Sequence, residues 1–434
     1  MELTPQVCEP STKYLVRTPG GQESNGPLSQ WPVAPLGELA VFITSGSRGW
    51  ARHYAESGAT FIRSQNIVKG QLDFSERQYV APPEGAEGNR TRVKLGDVLI
   101  TITGNSVGNV AYVDHDLGEA YISQHVGLVR LQEPSQAEYV CRYLSPGAPG
   151  NAQIVASQSG QSKPGLNLQD LRGFAIALPG SEEQRAIAGA LSDIDALLSR
   201  LDRLIAKKLD LKLAAMQQLL TGQTRLPGFQ GEWEVRLLGE HVRFLKNGVN
   251  SRAELAAYGS TKYLHYGDIH VAGGNTLDPS SLPCLSAEKA RSLDRLADGD
   301  LVFVDASEDM SGVGKSVEIV GSSHTDLVAG LHTIAARFDS AVLADGFKAY
   351  LQFCPPFRQH LGRLAAGTKV YATNRRHIAT VEMPLPSTDE QTAISTVLSE
   401  MDAELSALEA RRDKTRALKQ GMMQELLTGR TRLV

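Results

Sequence analysis

The chain has 434 residues, of which 41% are hydrophobic and 21% are charged, and its formal net charge is -4. These values are typical of a globular protein with two or three domains, and they exclude a polybasic protein, although not a local basic face. No apolar run is as long as a membrane span, and no signal peptide is recognisable. The cysteines Cys8, Cys141, Cys284 and Cys354 lie far apart, which favours reduced thiols and a cytoplasmic location.

The chain begins with residues 1–30, which are rich in Pro, Gly, Ser, Gln and Glu and are predicted to form an N-terminal tail. Residues 31–178 are predicted to form a mixed, β-rich domain. Strand-like segments run from Val98 to Thr103 and from Val110 to Val113, joined by a Gly/Asn/Ser loop, which indicates a hairpin or a bent strand pair. A further strand is expected within Ser123 to Leu131.

Residues 179–226 have the pattern of a long helix, expected from about residue 182 to 220. Its apolar positions step by four and three, as in a coiled coil, at Ile187, Leu191, Ile194, Leu198, Leu201 and Ile205. The later positions change phase to Leu209, Leu213, Met216 and Leu220, which predicts a stutter in the seam.

Residues 233–385 repeat the plan of the first domain with different loops. WEVRLLGEHVRFLKNG corresponds to WPVAPLGELAVFITSG, and Asp300 and Gly314 correspond to Asp97 and Gly108. LVAGLHTIAARF takes the place of SQHVGLVRL. A shared framework with unlike loops suggests two domains that read related but different targets.

Residues 386–434 repeat the helical segment. Leu178 to Leu226 and Leu385 to Leu433 align at a constant offset of 207, with 25 of 49 positions identical, so chance is excluded. The second seam consists of Ile394, Leu398, Met401, Leu405 and Leu408. Two copies of one apolar seam most simply pack on each other, which predicts an antiparallel helix pair with approximate twofold symmetry. The expected fold class is α/β (α+β).

No motif for catalysis is complete. The segment SGVGKS at Ser311 to Ser316 resembles the end of a phosphate-binding loop, but Asp309 stands where that loop needs Gly, and no helix pattern follows. A dinucleotide fingerprint, the base-holding motif of an adenine methyltransferase, and metal-binding His or Cys spacings are all missing from the sequence. The sequence therefore favours a protein that is not an enzyme and holds neither metal nor cofactor.

The loops instead carry side chains suited to nucleic acids. Arg and Lys pair with guanine or phosphate, and Asn and Gln match adenine in the major groove. The candidate DNA-binding residues are Ser47, Arg48, Arg52, Arg63, Ser64, Asn66, Asn105, Ser106, Gln124, His125, Lys163, Lys246, Asn247, Arg252, Tyr266, Lys315, His332, Lys369, Tyr371 and Arg375.

The order of variable domain, repeated helix, variable domain and repeated helix resembles the specificity subunit of type I restriction-modification systems. The resemblance covers residues 31–434 and rests on the P-x-x-x-E-Q-x-x-I motif at Pro179 and Pro386, on the LLTG motifs, and on LGDVLITITGNSVGNVA. It implies two target recognition domains, each reading half of a bipartite asymmetric site on double-stranded DNA. The paired helices would act as the spacer ruler and as the dock for two modification subunits.

Further partners are implied by the same resemblance. Restriction subunits would join through the modification subunits, and S-adenosylmethionine and ATP would be bound by these partners and not by this chain. The residues leave two alternatives open: a coiled-coil scaffold that binds only proteins, and a DNA methyltransferase in its own right, which the missing motifs disfavour. If the helices are the ruler, one extra turn near Lys207 to Asp210 should lengthen the spacer by roughly one or two base pairs.

Overall fold

The structure is a computed structural model, and it describes residues 31–68, 70–82, 85–158, 165–309, 312–365 and 371–433. The predicted N-terminal tail, Lys163 and Lys369 lie outside these residues. Contacts divide the chain into a first unit, made of the residues up to Leu201 together with those from Arg411 onward, and a second unit, Asp202–Ala410. Each unit thus joins a β-rich domain to the start of one long helix and the end of the other.

The main sheet of the first unit is antiparallel, with the described strands in the order Ala40–Ser45, Val126–Leu131, Asp97–Thr101 and Val110–Tyr112. The predicted hairpin is therefore confirmed. A side sheet has the order Ala120–Ile122, Ala59–Ile62, Gln78–Val80 and Tyr54–Ala55. Short strand pairs join Val33–Pro35 to Ala175–Ala177 and Ile67–Val68 to Gln71–Leu72. The helices are Leu36–Leu39, Ala86–Thr91, Ala137–Leu144, Asn151–Gln158 and Leu168–Gly173, with 3-10 turns at Trp50–His53, Ser64–Asn66 and Pro134–Gln136.

The second unit repeats this topology. Its main sheet has the order Val242–Leu245, Thr333–Phe338, Leu301–Val304, Ser316–Ile319 and Thr276–Leu277, and its side sheet the order Cys284–Leu285, Thr261–Leu264 and Asp326–Ala329. Glu234–Leu237 pairs with Glu382–Leu385, and Ala306–Ser307 pairs with Tyr371–Ala372. The shorter helices are Tyr266–Val271, Ala287–Ala290, Pro355–Leu364 and Arg375–Ala379, and the 3-10 turns are Leu238–His241, Arg252–Glu254, Pro279–Ser281 and Lys348–Phe353. The internal repeat seen in the sequence is therefore a repeat of the strand order.

Both faces of each main sheet are buried. In the first unit, Val98 and Ile100 point into a cluster with the helix Ala137–Leu144 and with Ile187 and Met423 of the long helices. Leu99, between them, points into a second cluster beneath the side sheet, because successive strand residues face opposite sides. In the second unit, Leu301 and Phe303 likewise point into one cluster, and Val302 points into another on the opposite face. The sheets are thus rigid supports for the loops at their ends.

The first long helix is Ser181–Leu219 and the second is Thr388–Leu426, 39 residues each. Both predicted helices are confirmed. The motif P-x-x-x-E-Q has a structural explanation at its Gln, because Gln184 and Gln391 each donate a side-chain hydrogen bond to the carbonyl of the proline five residues earlier, at 2.8 and 2.9 Å. Among the described residues no helix is long and apolar enough to span a bilayer.

The Glu of this motif binds the Arg of the TRL motif that ends the other repeat. In the first unit, Glu183 accepts two hydrogen bonds from Arg432, whose guanidinium lies 5.4 Å from the centre of the Trp31 ring. In the second unit, Glu390 accepts two from Arg225, which lies 5.7 Å from the Trp233 ring. Both Glu side chains are 1% exposed, so each is a buried carboxylate neutralised by a bidentate partner.

Further ion pairs show the helix direction within each unit. Asp195 bonds Lys419 at 2.6 Å in the first unit, and the equivalent Asp402 bonds Lys212 in the second. In the first unit, Asp195 follows Glu183 while Lys419 precedes Arg432, and in the second unit Asp402 follows Glu390 while Lys212 precedes Arg225. The two helices are therefore antiparallel within each unit. The sequence identity between the repeats thus reflects paired charges as well as packing.

The predicted stutter in the first helix is wrong at Leu209 and Leu213, whereas Met216 and Leu220 are buried as predicted. Leu209 and Leu213 are exposed, and the partly buried positions that continue the seam beyond Leu201 are Ile205, Lys208, Lys212 and Ala215. These keep the spacing of four and three. The lysine stems occupy the seam while their ammonium groups bind Glu404 and Asp402 at its edge.

An ion pair with a buried carboxylate joins the same two neighbouring strands in both main sheets. Arg130 donates through Nε and Nη2 to the carboxylate of Asp97, both at 2.8 Å, and Arg337 does so to Asp300 at 2.7 and 2.6 Å. The carboxylate raises the pKa of the Arg337 guanidinium. Asp97 and Asp300 are almost fully buried, so each depends on its arginine for charge compensation.

We expect Arg130→Met to destabilise the first unit by about 3 kcal/mol, because it leaves the Asp97 carboxylate buried without a cation. Denaturant unfolding of the full chain measures the change. Asp97→Asn with Arg130→Met should cost less than the sum of the single changes. Arg236→Ala, which removes an exposed pair with Glu234, is the control and should cost under about 1 kcal/mol. Equal costs for Arg130→Met and Arg236→Ala would contradict the assignment.

Candidate nucleic-acid interface

The candidate residues of the first unit gather at one end of its main sheet. Ser47 and Arg48 follow the strand Ala40–Ser45, Asn105 and Ser106 follow Asp97–Thr101, and His125 precedes Val126–Leu131. Main-chain hydrogen bonds hold these segments together, from Gly46 N to Val126 O at 3.3 Å and from Ile102 N to His125 O at 2.9 Å. The sheet therefore places loops that are distant in sequence side by side.

The side sheet adds the segment of Arg63 and Ser64 to the same end. Ser123 N donates to Ile62 O at 2.8 Å, which places the end of Ala59–Ile62 beside the loop of Gln124. Arg63 also donates to the carbonyl of Glu76 at 3.1 Å. Its partly exposed guanidinium is thus fixed in place.

The prediction for Asn66 is wrong. Its side chain is 2% exposed, and its Oδ1 accepts from Arg63 N at 2.9 Å while its Nδ2 donates to the carbonyls of Asp73 and Glu76 at 2.8 and 3.3 Å. These bonds close the turn after the strand, and they leave the amide unable to reach a base. In the second unit, Asp268 closes the equivalent turn, because its carboxylate accepts a hydrogen bond from His265 N at 2.9 Å.

Arg52 is exposed on the short 3-10 turn Trp50–His53, and its Nε donates to the ring of His53 at 3.1 Å. The turn is anchored by Trp50, which is buried and stacks on Phe61 with the ring centres 5.4 Å apart. Trp50 therefore supports Arg52 from the core, which the sequence pattern did not reveal.

Arg90 is a functional candidate that the sequence reasoning missed. Its guanidinium donates to the Thr44 hydroxyl, to the Ser45 carbonyl at 2.6 Å and to the Ser47 hydroxyl. It thus fixes the loop that carries Ser47 and Arg48 and adds positive charge beneath it. Only the contact between the helix Ala86–Thr91 and the strand end reveals this role, because the two are 43 residues apart in sequence.

The second unit gathers its candidates at the corresponding end of its main sheet. Lys246 and Asn247 follow Val242–Leu245, Lys315 precedes Ser316–Ile319, and His332 precedes Thr333–Phe338. Arg375, at the start of a short helix, donates to the carbonyl of Leu245 at 2.7 Å and to Asn247 Oδ1 at 3.1 Å. Basic and amide groups from separate segments therefore meet there.

Tyr266 lies at the centre of a ring cluster at this end. Its ring centre is 4.5 Å from that of His265, 6.0 Å from that of His270 and 5.5 Å from that of His332. Burial, and then the nearby positive charge of Arg252, lower the pKa of His265. The cluster therefore offers aromatic edges and imidazole nitrogens.

Two basic candidates of the second unit are engaged by neighbours. Arg252 forms an ion pair with Asp268 at 2.7 Å but keeps half of its side chain exposed, and Lys315 donates to the carbonyl of His270 at 2.8 Å. Tyr371 is partly buried in the strand pair with Ala306–Ser307. Both cations remain near the sheet end, where they can contribute positive potential.

The structure also bears on the catalytic alternatives. The segment that resembles a phosphate-binding loop leads directly into the strand Ser316–Ile319, as the internal repeat predicted, and not into a helix. In the part of the chain that the structure describes, no group of His, Cys, Asp and Glu side chains is placed to hold a metal ion. The polar groups of the sheet ends are arranged for hydrogen bonding and charge pairing.

Comparison with known proteins agrees with this arrangement. Residues 53–210 match the family model of the type I restriction modification DNA specificity domain. A putative type I restriction enzyme MjaX specificity subunit of Methanocaldococcus jannaschii is 21% identical over 429 residues, covering 93% of this chain and 94% of that protein. The MjaVIII specificity subunit of the same organism is 25% identical over 291 residues, covering 64% of this chain and 67% of that protein.

Solved structures share the fold. The S subunit of the type I restriction-modification system of M. genitalium has a TM-score of 0.59 at 14% identity, covering 93% of this chain and 98% of that chain. A chain from a study of complex assembly and conformational transition of the type I R-M system has a TM-score of 0.54 at 18% identity, with 94% and 99% coverage. Residues 53–210 therefore form a type I restriction modification DNA specificity domain, and over nearly its whole length the chain is similar to a specificity subunit of these systems.

Proposed function

We propose that each unit reads one half of a bipartite, asymmetric site on double-stranded DNA, and that the long helices set the spacer and bind two modification subunits. The observation that carries the first part is the repeated strand order with unlike loops. The same end of both main sheets collects basic, amide and imidazole side chains, but the residues differ: Ser47, Arg48 and Gln124 in one unit and Lys246, Asn247 and Leu331 in the other. Similar supports with different reading groups suit two unlike half-sites.

The proposed docking surface lies on the long helices. Leu211 is 48% exposed and Leu418 is 55% exposed, and these residues occupy equivalent positions of the two repeats. Leu204, Leu209 and Leu213 are exposed as well. Apolar side chains that face away from a helix seam are typical of surfaces that bind another protein. Leu211 and Leu418 form one equivalent pair, which fits two copies of one partner. Leu204, Leu209 and Leu213 correspond to Arg411, Arg416 and Gln420 in the second repeat and are not part of that pair.

The remaining parts of the proposal concern chemistry and location. Methyl transfer, with S-adenosylmethionine, would belong to the modification subunits, and ATP-driven steps to restriction subunits bound through them. The chain would itself be non-catalytic and would act in the cytoplasm, where it meets chromosomal DNA. The chain purified alone should therefore transfer no methyl group to DNA.

The division into two readers is tested by a domain exchange. Residues 31–177 are replaced by the equivalent domain of a relative, and the chimera is expressed with its modification subunit. We expect methylome sequencing to show one changed half-site and one retained half-site, because the loops of the second unit are untouched. The reciprocal exchange of residues 233–385 is the matched control and should change only the other half. A change in both halves from either exchange would refute independent reading.

A further inference from the structure

His125 and His332 occupy equivalent positions at the centres of the two sheet ends. Each directly precedes the second strand of its main sheet, and its carbonyl accepts a hydrogen bond from the residue after the adjacent strand. These bonds run from Ile102 N to His125 O at 2.9 Å and from Asp305 N to His332 O at 3.2 Å. Each ring is also held by a side chain from across the sheet. His125 Nδ1 bonds the Thr103 hydroxyl, and His332 Nδ1 bonds Asp305 Oδ1 at 3.1 Å.

In the first unit, the held imidazole orients an exposed amide. Gln124 Nε2 lies 3.1 Å from His125 Nε2. If the amide donates there, the ring nitrogen is the acceptor, and the opposite Nδ1–H donates to Thr103. Gln124 keeps its Oε1 acceptor and one N–H donor exposed and side by side. That pair matches the N6 donor and N7 acceptor of adenine in the major groove.

In the second unit, the residue before the histidine is Leu331, so the imidazole itself is the exposed polar group. If Nδ1–H donates to Asp305 in the neutral tautomer, Nε2 is the outward acceptor. His332 also has a φ of 57°, and among the described residues it is the non-glycine residue with a positive φ. Such strained backbone persists where the surroundings enforce it, and it is concentrated at functional sites.

We infer that Gln124 reads an adenine in the half-site of the first unit with His125 as its positioning residue, and that His332 reads a base with an exposed amino group, adenine or cytosine, in the other half-site. The inference rests on the proposed function, because it assigns bases within the half-sites that the two units read. Among the candidate DNA-binding residues, it selects one equivalent position at the sheet end of each unit.

The test uses the full chain in complex with its modification subunit, with methylome sequencing and competition binding on duplexes that vary each site position. Gln124→Ala should lower discrimination at a single adenine position by roughly 10- to 100-fold, and Gln124→Glu should shift the preference there towards cytosine, since a carboxylate only accepts hydrogen bonds. His332→Ala should relax one position in the other half-site. Thermal unfolding should be unchanged for Gln124→Ala, because the side chain is exposed.

His125→Ala should relax the same position as Gln124→Ala, and it should add no further loss in the Gln124→Ala background, since it acts through that amide. A purely structural role would instead weaken binding at every position. His115→Ala and His324→Ala are matched controls, because these exposed histidines lie in equivalent loops at the opposite end of each main sheet. They should leave specificity unchanged.

The outcomes separate the inference from the proposed function. If the wild-type complex methylates a bipartite site and Gln124→Ala and His332→Ala keep full discrimination at every position, the inference is overturned and the proposed function stands. Relaxation of both half-sites by Gln124→Ala alone would also overturn it. A wild-type complex that methylates no bipartite site would overturn the proposed function and the inference with it.

Discussion

Four-residue insertions after Lys207 and after Ser406, one in each long helix because both helices contribute to both units, are expected to lengthen the unread spacer by roughly one or two base pairs while both half-site sequences are kept. Four residues extend each long helix by about 6 Å, and one base pair advances about 3.4 Å. Four residues also make close to one full turn, so the positions after the insertion keep nearly the same orientation. The continuous seam of Ile205, Lys208, Lys212 and Ala215 makes this condition strict, because a rotated Lys212 would lose Asp402.

The experiment is methylome sequencing of cells that carry the variant and its modification subunit. Two-residue insertions at the same places are the control, since they turn the later residues by about 200° and move Lys212 and Ala215 away from the seam. That control should abolish methylation. The original spacing with full activity after the four-residue insertions would show that the helices are not the ruler.

Leu211→Asp combined with Leu418→Asp is expected to abolish binding of modification subunits and thereby all methylation. A carboxylate in the centre of an apolar interface must lose water without gaining a partner, which is unfavourable. Because the two leucines are equivalent by the internal repeat, each single change should remove one of two subunits. Native mass spectrometry would then show a one-to-one complex for either single variant and two partners for the wild type.

Leu95→Asp is the matched control, because Leu95 is an equally exposed leucine in a turn of the first unit, away from the long helices. It should keep two partners. Both Asp changes are at exposed positions, so circular dichroism should report intact helices. A double variant that still binds two subunits would place the docking surface elsewhere and contradict the proposed role of these leucines.

The long helices were predictable because their signal is redundant. Each apolar position of the seam recurs in a second copy, and the helix bounds Ser181–Leu219 differ by one residue from the expectation. The strands were predictable where apolar runs end in Gly-rich turns, as at Asp97–Thr101. The matching strand order also followed from the internal repeat, since equivalent sequences form equivalent hydrogen-bond ladders.

The failures have a common cause: the pattern of one segment does not show its tertiary partner. Leu209 and Leu213 were predicted in the seam because they are apolar. The stems of Lys208 and Lys212 occupy it instead, and their ammonium groups pair with acidic residues almost 200 positions away. The side-chain amide of Asn66 could read adenine, but its Nδ2 group already donates hydrogen bonds to the carbonyls of Asp73 and Glu76. Arg90 lacks any motif and is recognised only by its contact with the loop of Ser47.

The ion pair between Glu183 and Arg432 has a consequence for the order in which the protein can fold during its synthesis. The second unit is one continuous stretch, Asp202–Ala410, and is complete once that stretch has left the ribosome. The first unit needs Met423, Leu426 and Leu427 for its core, and these residues are translated after the whole second unit. The domain that is translated first therefore completes its fold last. Arg432, the partner of Glu183, is translated 249 residues after it.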